Sequence, residues 1–133
     1  IVELYSEAEL AVVPSLYEGF SLPAIEAMSS GTPLIATTGG ALPEVCGRHD
    51  ETCLLVEPGD SDALAAMIGE ALDDPERRER IGAAGRKRVI DQWSWKHTAL
   101  RTLEQYRALL EETGDRYDST LPKVDPNEPG GVE

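Results

Sequence analysis

Two carboxylates and the segment between them are the part of this chain best suited to chemistry. Glu18 stands in a loop and Glu26 falls inside the helix that residues 22–29 predict. An ionised carboxylate accepts two hydrogen bonds side by side, which suits vicinal hydroxyls such as those of a ribose. The two acids are not one helical turn apart, so we expect them to contact different parts of one ligand. For two isolated glutamates, simple exposure to solvent is the alternative interpretation.

The backbone between these acids predicts an anion site. Gly19 makes the turn, and Ser21 is a good N-cap. Pro23 falls in the first helical turn, where the absence of a backbone N–H group is least costly. Free N–H groups at a helix start, together with the positive end of the helix dipole, attract an anion. The N–H groups expected to be free here belong to Phe20, Ser21, Leu22 and Ala24.

Strands and helices alternate along the part of the chain that must position these residues. Short apolar runs predict buried parallel strands at residues 10–13, 33–36 and 53–56. Helices are predicted at residues 1–8, 22–29 and 42–46, the second of them ended by Gly31. This alternation predicts an α/β fold with a parallel sheet. Ligands of such sheets bind at the carboxyl ends of strands, so the loops holding Glu18 and Gly39 can converge on one pocket.

Gly39 and Gly40 follow the second predicted strand and leave two interpretations open. Adjacent glycines allow positive φ and a close approach of the backbone to a ligand. Equally, they make a tight connection into the helix that holds Glu44. The residues alone favour this second, structural interpretation. Thr37 and Thr38 are weaker candidates for the same rim.

The C-terminal half predicts architecture and little chemistry. Ser61 and Asp62 look like the capping pair of one helix, and Asp74 with Pro75 starts another that runs towards residue 92. A last helix is predicted at residues 95–110. Trp93 and Trp95 are predicted to be packing anchors, with no indication that either lies near the loop of Glu18. Residues 111–133 hold seven acids against two bases and predict a disordered tail.

Composition limits the classes of partner. The 133 residues hold 12 Lys and Arg against 25 Asp and Glu, a net charge of −13, which disfavours nucleic acid and anionic membranes. The clustered basic residues are predicted to lie on a solvated helix face, with a weak contact to head groups or an acidic partner as the alternative. They are Arg77, Arg78, Arg80, Arg86, Lys87 and Arg88.

Cysteine and histidine spacing predicts no metal or redox chemistry. Cys46 and Cys53 do not form a Cys-x-x-Cys pair and are predicted to be reduced and partly buried, as in a cytoplasmic protein. His49 and His97 have no ligand spacing and are predicted to be solvated. No run of eighteen apolar residues occurs, so we expect no integral membrane segment, while peripheral attachment of a longer protein stays open.

Several motifs of the chain resemble the C-terminal domain of GT-B glycosyltransferases, in particular the retaining group 1, also called family 4. The resemblance covers about residues 1–110. Its motifs are residues 14–28, which hold both glutamates, and residues 31–36, 39–44, 54–60, 80–86 and 93–95. The resemblance implies a Rossmann-like domain that binds a nucleoside diphosphate sugar without a cofactor or bound metal.

The resemblance also implies a role for each motif residue. It implies that Glu26 binds the ribose hydroxyls and that Glu18 faces the transferred sugar as the catalytic candidate. The backbone at Gly19 and at residues 20–22 is implied to contact sugar hydroxyls and diphosphate, and the loop of Gly39 and Gly40 to approach the phosphates. Ser21 stands where many relatives have glycine, so we expect its side chain to lie close to the sugar.

A complete enzyme of this kind has two such domains, and 133 residues suffice for one. We therefore expect a fragment or a truncated relative that is inactive alone. We then expect an N-terminal domain to hold the acceptor, a sugar or a lipid-linked acceptor, and an upstream segment to supply the cations that neutralise the diphosphate. The alternatives are a nucleotide-sugar epimerase of related fold and a non-catalytic remnant that binds nucleotide or docks with another chain.

Overall fold

The computed structural model describes residues 1–113, which divide into two compact units. The first unit comprises Ile1–Trp93, and the second begins at Ser94. The elements of the first unit are α1 (Val2–Glu7), β1 (Ala11–Val13), α2 (Leu22–Ser29), β2 (Leu34–Thr37), α3 (Leu42–Cys46), β3 (Leu54–Val56), α4 (Ser61–Asp73) and α5 (Pro75–Gln92). The second unit contains α6 (Trp95–Thr113). The predicted alternation of strands and helices is confirmed.

The three strands form one parallel sheet in the order β1-β2-β3. Val13 pairs with Ala36, and Thr37 pairs with Val56, so the strands end at the same edge of the sheet. The central strand β2 is buried along its whole length, as expected of a parallel strand covered on both faces. This Rossmann-like α/β arrangement confirms the predicted fold class.

Helices cover the sheet on both faces and enclose two hydrophobic clusters. Side chains of β2 alternate between them, because successive residues of a strand point to opposite faces. Leu34 and Ala36 join the larger cluster, with Met28 of α2 and Val89 of α5, whereas Ile35 joins the smaller one. The larger cluster thus lies directly beneath α2, the helix that carries Glu26.

Capping residues set the starts of three helices. Ser21 caps α2 and Asp74 caps α5, both as predicted. The prediction for α4 was wrong, since its cap is Asp60 rather than Ser61 and Asp62. The Oδ1 atom of Asp60 accepts a hydrogen bond from the N–H of Ala63 at 2.8 Å, and Ser61 is already helical.

The prediction that the basic cluster on α5 is solvated holds only in part. Arg80, Arg86 and Lys87 are exposed, whereas the other three arginines are half-buried. Arg78 is 15% exposed and donates to the carbonyl of Ala71 at 2.8 Å. Arg88 donates to the carbonyls of Glu44 and Val45 at 2.6 and 3.0 Å. Carbonyls near a helix C-terminus lack intrahelical partners, and these arginines supply the donors. They fasten the ends of α3 and α4 to α5.

Asp50 fastens a loop to the same helix. This residue has a φ of 59°. Its carboxylate accepts hydrogen bonds from Arg77 at 2.7 Å and from Arg80 at 3.1 Å, and its carbonyl accepts another from Arg80 at 2.6 Å. The hydrogen bond from Arg77, supported by Arg80, holds the pKa of the Asp50 carboxyl below its ordinary value. The loop between α3 and β3 is therefore tied to α5 by charge.

The two cysteines are free thiols, and both are completely buried rather than partly buried. A hydrogen bond to the Cys53 sulfur, together with burial, raises the pKa of the Cys46 thiol.

His49, in the loop before Cys53, is exposed as predicted, but its Nδ1 accepts a hydrogen bond from the N–H of Leu55 at 2.9 Å.

Among the helices of residues 1–113, none combines the length and the apolar character of a membrane span.

The second unit is a helix whose first turn is capped by Ser94. The Ser94 hydroxyl lies 2.8 Å from Nδ1 of His97 and accepts from the N–H of the same residue at 3.3 Å. Trp95 is 88% exposed, so its predicted role as a packing anchor was wrong. Helix α6 continues to Thr113, three residues past the predicted end. Residues 114–133, the rest of the predicted tail, lie outside the described residues.

Candidate functional site

The first loop (residues 14–20) leads from the end of β1 to the start of α2 and carries Glu18. The carboxylate of Glu18 accepts a hydrogen bond from the hydroxyl of Ser15 at 2.8 Å, and the residue is half-buried. Its carbonyl oxygen accepts a second bond, from the N–H of Ala41 at 2.8 Å. Both contacts restrict the rotamer and position of this acid before any ligand binds.

The second loop (residues 38–41) leads from β2 to α3 and packs against the first loop, as the sequence predicted. The hydroxyl of Thr37 donates to the carbonyl of Ser15 at 2.5 Å and accepts from the N–H of Gly39 at 3.3 Å. Together with the bond between Ala41 and Glu18, these contacts join the two loops at the carboxyl edge of the sheet. This is the edge where parallel sheets bind ligands.

The two glycines of the second loop are required by this loop–loop contact. A Cβ atom on Gly39 would lie 2.5 Å from the carbonyl oxygen of Leu16. Gly40 has a φ of 64°, and a Cβ there would lie 2.2 Å from the carbonyl oxygen of Glu18. Both glycines therefore have a structural reason in the packing of the two loops, and a ligand contact of this pair stays a prediction. Gly39 is buried, and only Gly40 has backbone that solvent or a ligand can reach.

The start of α2 offers three N–H groups rather than the four expected. The hydroxyl of Ser21 accepts from the N–H of Ala24 at 3.4 Å, so this donor is taken. Ser21 is 1% exposed and its hydroxyl caps the helix, while its closeness to a sugar stays a prediction. Within residues 1–113, no hydrogen-bond partner is found for the N–H groups of Phe20, Ser21 and Leu22. These donors and the helix dipole make this helix start attractive to an anion.

Glu26 projects from the second turn of α2. It lies four residues after Leu22, which places the two side chains on the same face of the helix. Both side chains are exposed, and among residues 1–113 nothing pairs with the Glu26 carboxylate. This acid is therefore free to accept hydrogen bonds from a ligand that lies along the helix start.

Trp93 lies against the first loop, a contact for which the sequence held no indication. Its ring meets the ring of Phe20 edge to face, with the centroids 5.5 Å apart and the planes at 67°. Helix α5 runs antiparallel to α2, because Arg86 contacts the carbonyl of Ser29 at the end of α2 while Trp93 reaches its start. Sequence reasoning missed this residue because the contact depends on how two distant helices pack. The one available signal was Phe20 itself, an aromatic residue in a loop with no partner nearby in sequence.

A cavity of about 180 Å³ opens beside the first loop at the same edge of the sheet. Its walls are mostly apolar, and it shares only Pro14 and Leu16 with the first loop, so it is distinct from the anion-attracting helix start. Its lining residues are Pro14, Leu16, Thr37, Val56, Glu57, Gly59, Asp60, Ser61 and Leu64.

Fold and site together define a Rossmann-like domain with an anion-attracting helix start between two acids, at the carboxyl edge of a parallel sheet. The chain belongs to the glycosyl transferases of group 1, whose family model matches residues 1–88. The matched part corresponds to the C-terminal domain of GT-B enzymes in this family.

Similar proteins include curated enzymes and solved structures. Over 110 residues the chain is 49% identical to an MMP alpha-(1->4)-mannosyltransferase of Mycolicibacterium hassiacum, covering 83% of this chain and 27% of that protein. Sucrose-phosphate synthase of Thermosynechococcus elongatus is 44% identical with a TM-score of 0.75, over 82% of this chain and 27% of that one. The C-terminal domain of LpcC, a group 1 glycosyl transferase of Francisella tularensis, is 36% identical with a TM-score of 0.64, over 69% and 47%. The chain thus spans about a quarter of the full-length relatives it matches.

Proposed function

We propose that this chain is the donor-binding part of a retaining glycosyltransferase that uses a nucleoside diphosphate sugar. One observation carries the proposal: three N–H groups at the start of α2, without a partner among the described residues, lie between a pre-positioned acid, Glu18, and an exposed acid, Glu26. Phosphate-type charge and sugar hydroxyls are the two kinds of group that these donors and acceptors suit. The similar enzymes named above transfer or join sugars, which agrees with this chemistry.

In this proposal the diphosphate lies on the backbone of residues 20–22. Backbone donors and the helix dipole stabilise the charge that grows on the diphosphate as it departs, and this stabilisation is where the chain contributes to rate. The arginines of α5 bind carbonyls and acids within the first unit, and among the described residues of that unit no cation contacts this helix start. We propose that the positive charge which neutralises the diphosphate is supplied by other parts of a longer protein.

Each acid then has a separate role. Glu18 accepts hydrogen bonds from the transferred sugar and fixes the position of the sugar relative to the acceptor. Holding the two reactants in the reactive orientation raises the rate. Glu26 accepts both hydroxyls of the nucleotide ribose, a bidentate arrangement suited to a carboxylate. Gly40 lets the second loop approach the phosphates while Gly39 packs against Leu16.

The acceptor is assigned to a second domain that this segment does not contain. The chain spans 27% of the mannosyltransferase that it resembles, so we propose that it is inactive alone. The domain boundary near residue 110 and the cytoplasmic location expected from the sequence belong to the same proposal. Peripheral membrane attachment would depend on the acceptor.

Replacing Glu26 tests the ribose assignment. In the complete gene product, Glu26→Ala should weaken donor binding by about 1.5–3 kcal/mol, because a charged hydrogen-bond partner of the ribose is lost. Isothermal titration with nucleoside diphosphate sugars measures this loss. Glu79→Gln, an exposed acid on α5, is the matched control and should bind like the wild type. Unchanged donor affinity in Glu26→Ala would refute the assignment.

Replacing Glu18 tests the sugar contact separately. Glu18→Gln keeps the size of the side chain, so it should lower turnover more than it lowers affinity for the free nucleoside diphosphate, which lacks the sugar. Steady-state kinetics and titration with the nucleoside diphosphate give the two quantities. Equal losses in both would show that Glu18 does not act on the sugar.

A further inference from the structure

Trp93 is the residue where α5 ends. Its N–H donates to the carbonyl of Val89 at 2.8 Å, but its φ of −118° and ψ of 11° leave the helical region. The side chain is half-buried and packs against the larger hydrophobic cluster. Trp93 is therefore held by its own helix and by the core, and the rest of its ring is available to neighbouring elements.

The two ends of the indole contact the two loops of the candidate site. Its ring edge meets Phe20, in the first loop, with 5.5 Å between centroids. Its Nε1 donates to the carbonyl of Val45 at 3.3 Å. Val45 belongs to α3, which begins directly after the second loop. One side chain thus connects the first loop with the helix that fixes the second.

A hydrogen bond between the two loops links them directly, in addition to their connection through Trp93. The N–H of Ala41, the residue before α3, donates to the carbonyl of Glu18 at 2.8 Å. Phe20 follows Glu18 by two residues, and its backbone N–H is one of the donors at the helix start. A shift of α5 or α3 is therefore transmitted to the donors that we assign to the diphosphate.

Phe20 has no other ring partner among the described residues, and its side chain is 48% exposed. An edge-to-face pair contributes about 0.5–1.5 kcal/mol beyond its buried area, enough to favour one loop conformation several-fold. A displacement of about 1 Å at a catalytic centre can cost on the order of 10²-fold in rate. Loss of the contact between Phe20 and Trp93 should therefore affect the reaction rate more than the free energy of unfolding.

We propose that Trp93 is a positioning residue that holds the first loop, through Phe20, in the geometry that receives the donor diphosphate. It does so without touching the donor. This inference rests on the proposed function, and it adds to the site a residue that lies far from the two glutamates in sequence.

The test compares four variants of the complete gene product by kcat, KM for the nucleoside diphosphate sugar and thermal stability. Trp93→Leu and Phe20→Leu should each lower kcat/KM about 10- to 100-fold, and Trp93→Phe, which keeps an aromatic edge, should recover most of the loss. The double variant Phe20→Leu with Trp93→Leu should lose little more than either single one, because both remove the same contact. Phe20 is half-exposed, so its variant should fold even if Trp93→Leu does not.

Ile81→Val is the control for a merely structural effect, since Ile81 is buried on α5 but belongs to the smaller cluster. It should lower stability and keep kcat/KM within about twofold. Wild-type kcat/KM in Phe20→Leu, or losses in the double variant that multiply, would overturn the role of Trp93 and leave the proposed function standing. Failure of the wild type to turn over any such donor would overturn the proposed function, and this inference with it.

Discussion

Gly40 sets the distance between the two loops of the site. Its φ of 64° is a conformation that L-residues with side chains rarely adopt, and the carbonyl of Glu18 fills the space where a Cβ would stand. The residue therefore fixes the backbone of the acid that we assign to the sugar. A substitution at this position acts on both the fold and the site.

We expect Gly40→Ala to destabilise the protein by about 2–3 kcal/mol, from left-handed backbone strain and the displaced Glu18 carbonyl. Urea unfolding measures the loss. Gly69→Ala, within α4, is the matched control because nothing lies within 4 Å of its added methyl group. It should raise stability by about 0.5–1 kcal/mol. Equal stabilities of Gly40→Ala and the wild type would contradict the loop packing described here.

The sequence predicts that Ser21 caps α2, but it does not predict which way the Ser21 hydroxyl points. Cap residues are recognised by type and by the helix that follows, which is why the bounds of α2 were predicted correctly. Whether the hydroxyl faces a ligand or its own helix depends on packing around it. The structure buries Ser21, so its hydroxyl serves the helix.

At the scale of the element, Ser21→Gly and Ser21→Ala should therefore differ. The glycine variant should lose only a few tenths of a kcal/mol and the alanine variant about 1 kcal/mol, because alanine is a poor cap. Thermal unfolding compares them. Donor affinity of Ser21→Gly should match the wild type, since the hydroxyl is buried. A marked change in donor affinity would indicate that the side chain reaches the ligand.

The loop between α3 and β3 depends on charge, and its stability should depend on pH. The pKa of Asp50 is lowered in the folded state, mainly by the hydrogen bond from Arg77. Its contribution is therefore complete above the ordinary carboxyl pKa of about 4 and is lost as pH falls through the lower, folded value. Because the carboxylate is 46% exposed, we expect under about 1 kcal/mol at neutral pH.

Asp50→Asn isolates this contribution. Asparagine tolerates the positive φ of this position, so the backbone should be kept while the charge is lost. The variant should be less stable than the wild type at pH 7, and the difference should vanish as the pH falls below the folded pKa. Urea unfolding across pH 2 to 7 measures it. A difference that grows on acidification would contradict the assigned ion pairs.

At the scale of the whole molecule, the features that local sequence predicts differ from those that depend on how distant elements pack. Apolar runs and caps predicted the parallel sheet and α2, because these signals lie within a few residues of the structure they specify. Arg88 and Trp93 act over more than forty residues of chain, on Val45 and Phe20. No local pattern encodes such contacts, which is why a wholly solvated basic face was predicted and the contact of Trp93 with the first loop was not.

The net charge of the whole chain also affects the binding of a diphosphate. The chain carries −13, and the arginines of α5 bind carbonyls and acids within the first unit. A bound diphosphate would add negative charge to a chain that is already acidic. We therefore expect the neutralising cations to come from other parts of a longer protein, and the chain spans 27% of one relative.

The most direct measurement is a crystal structure of the complete gene product with an intact nucleoside diphosphate sugar. We expect diphosphate oxygens within about 2.7–3.2 Å of the backbone nitrogens of Phe20, Ser21 and Leu22, and the ribose hydroxyls on the carboxylate of Glu26. A donor bound at full occupancy elsewhere, with the start of α2 open to solvent, would contradict it.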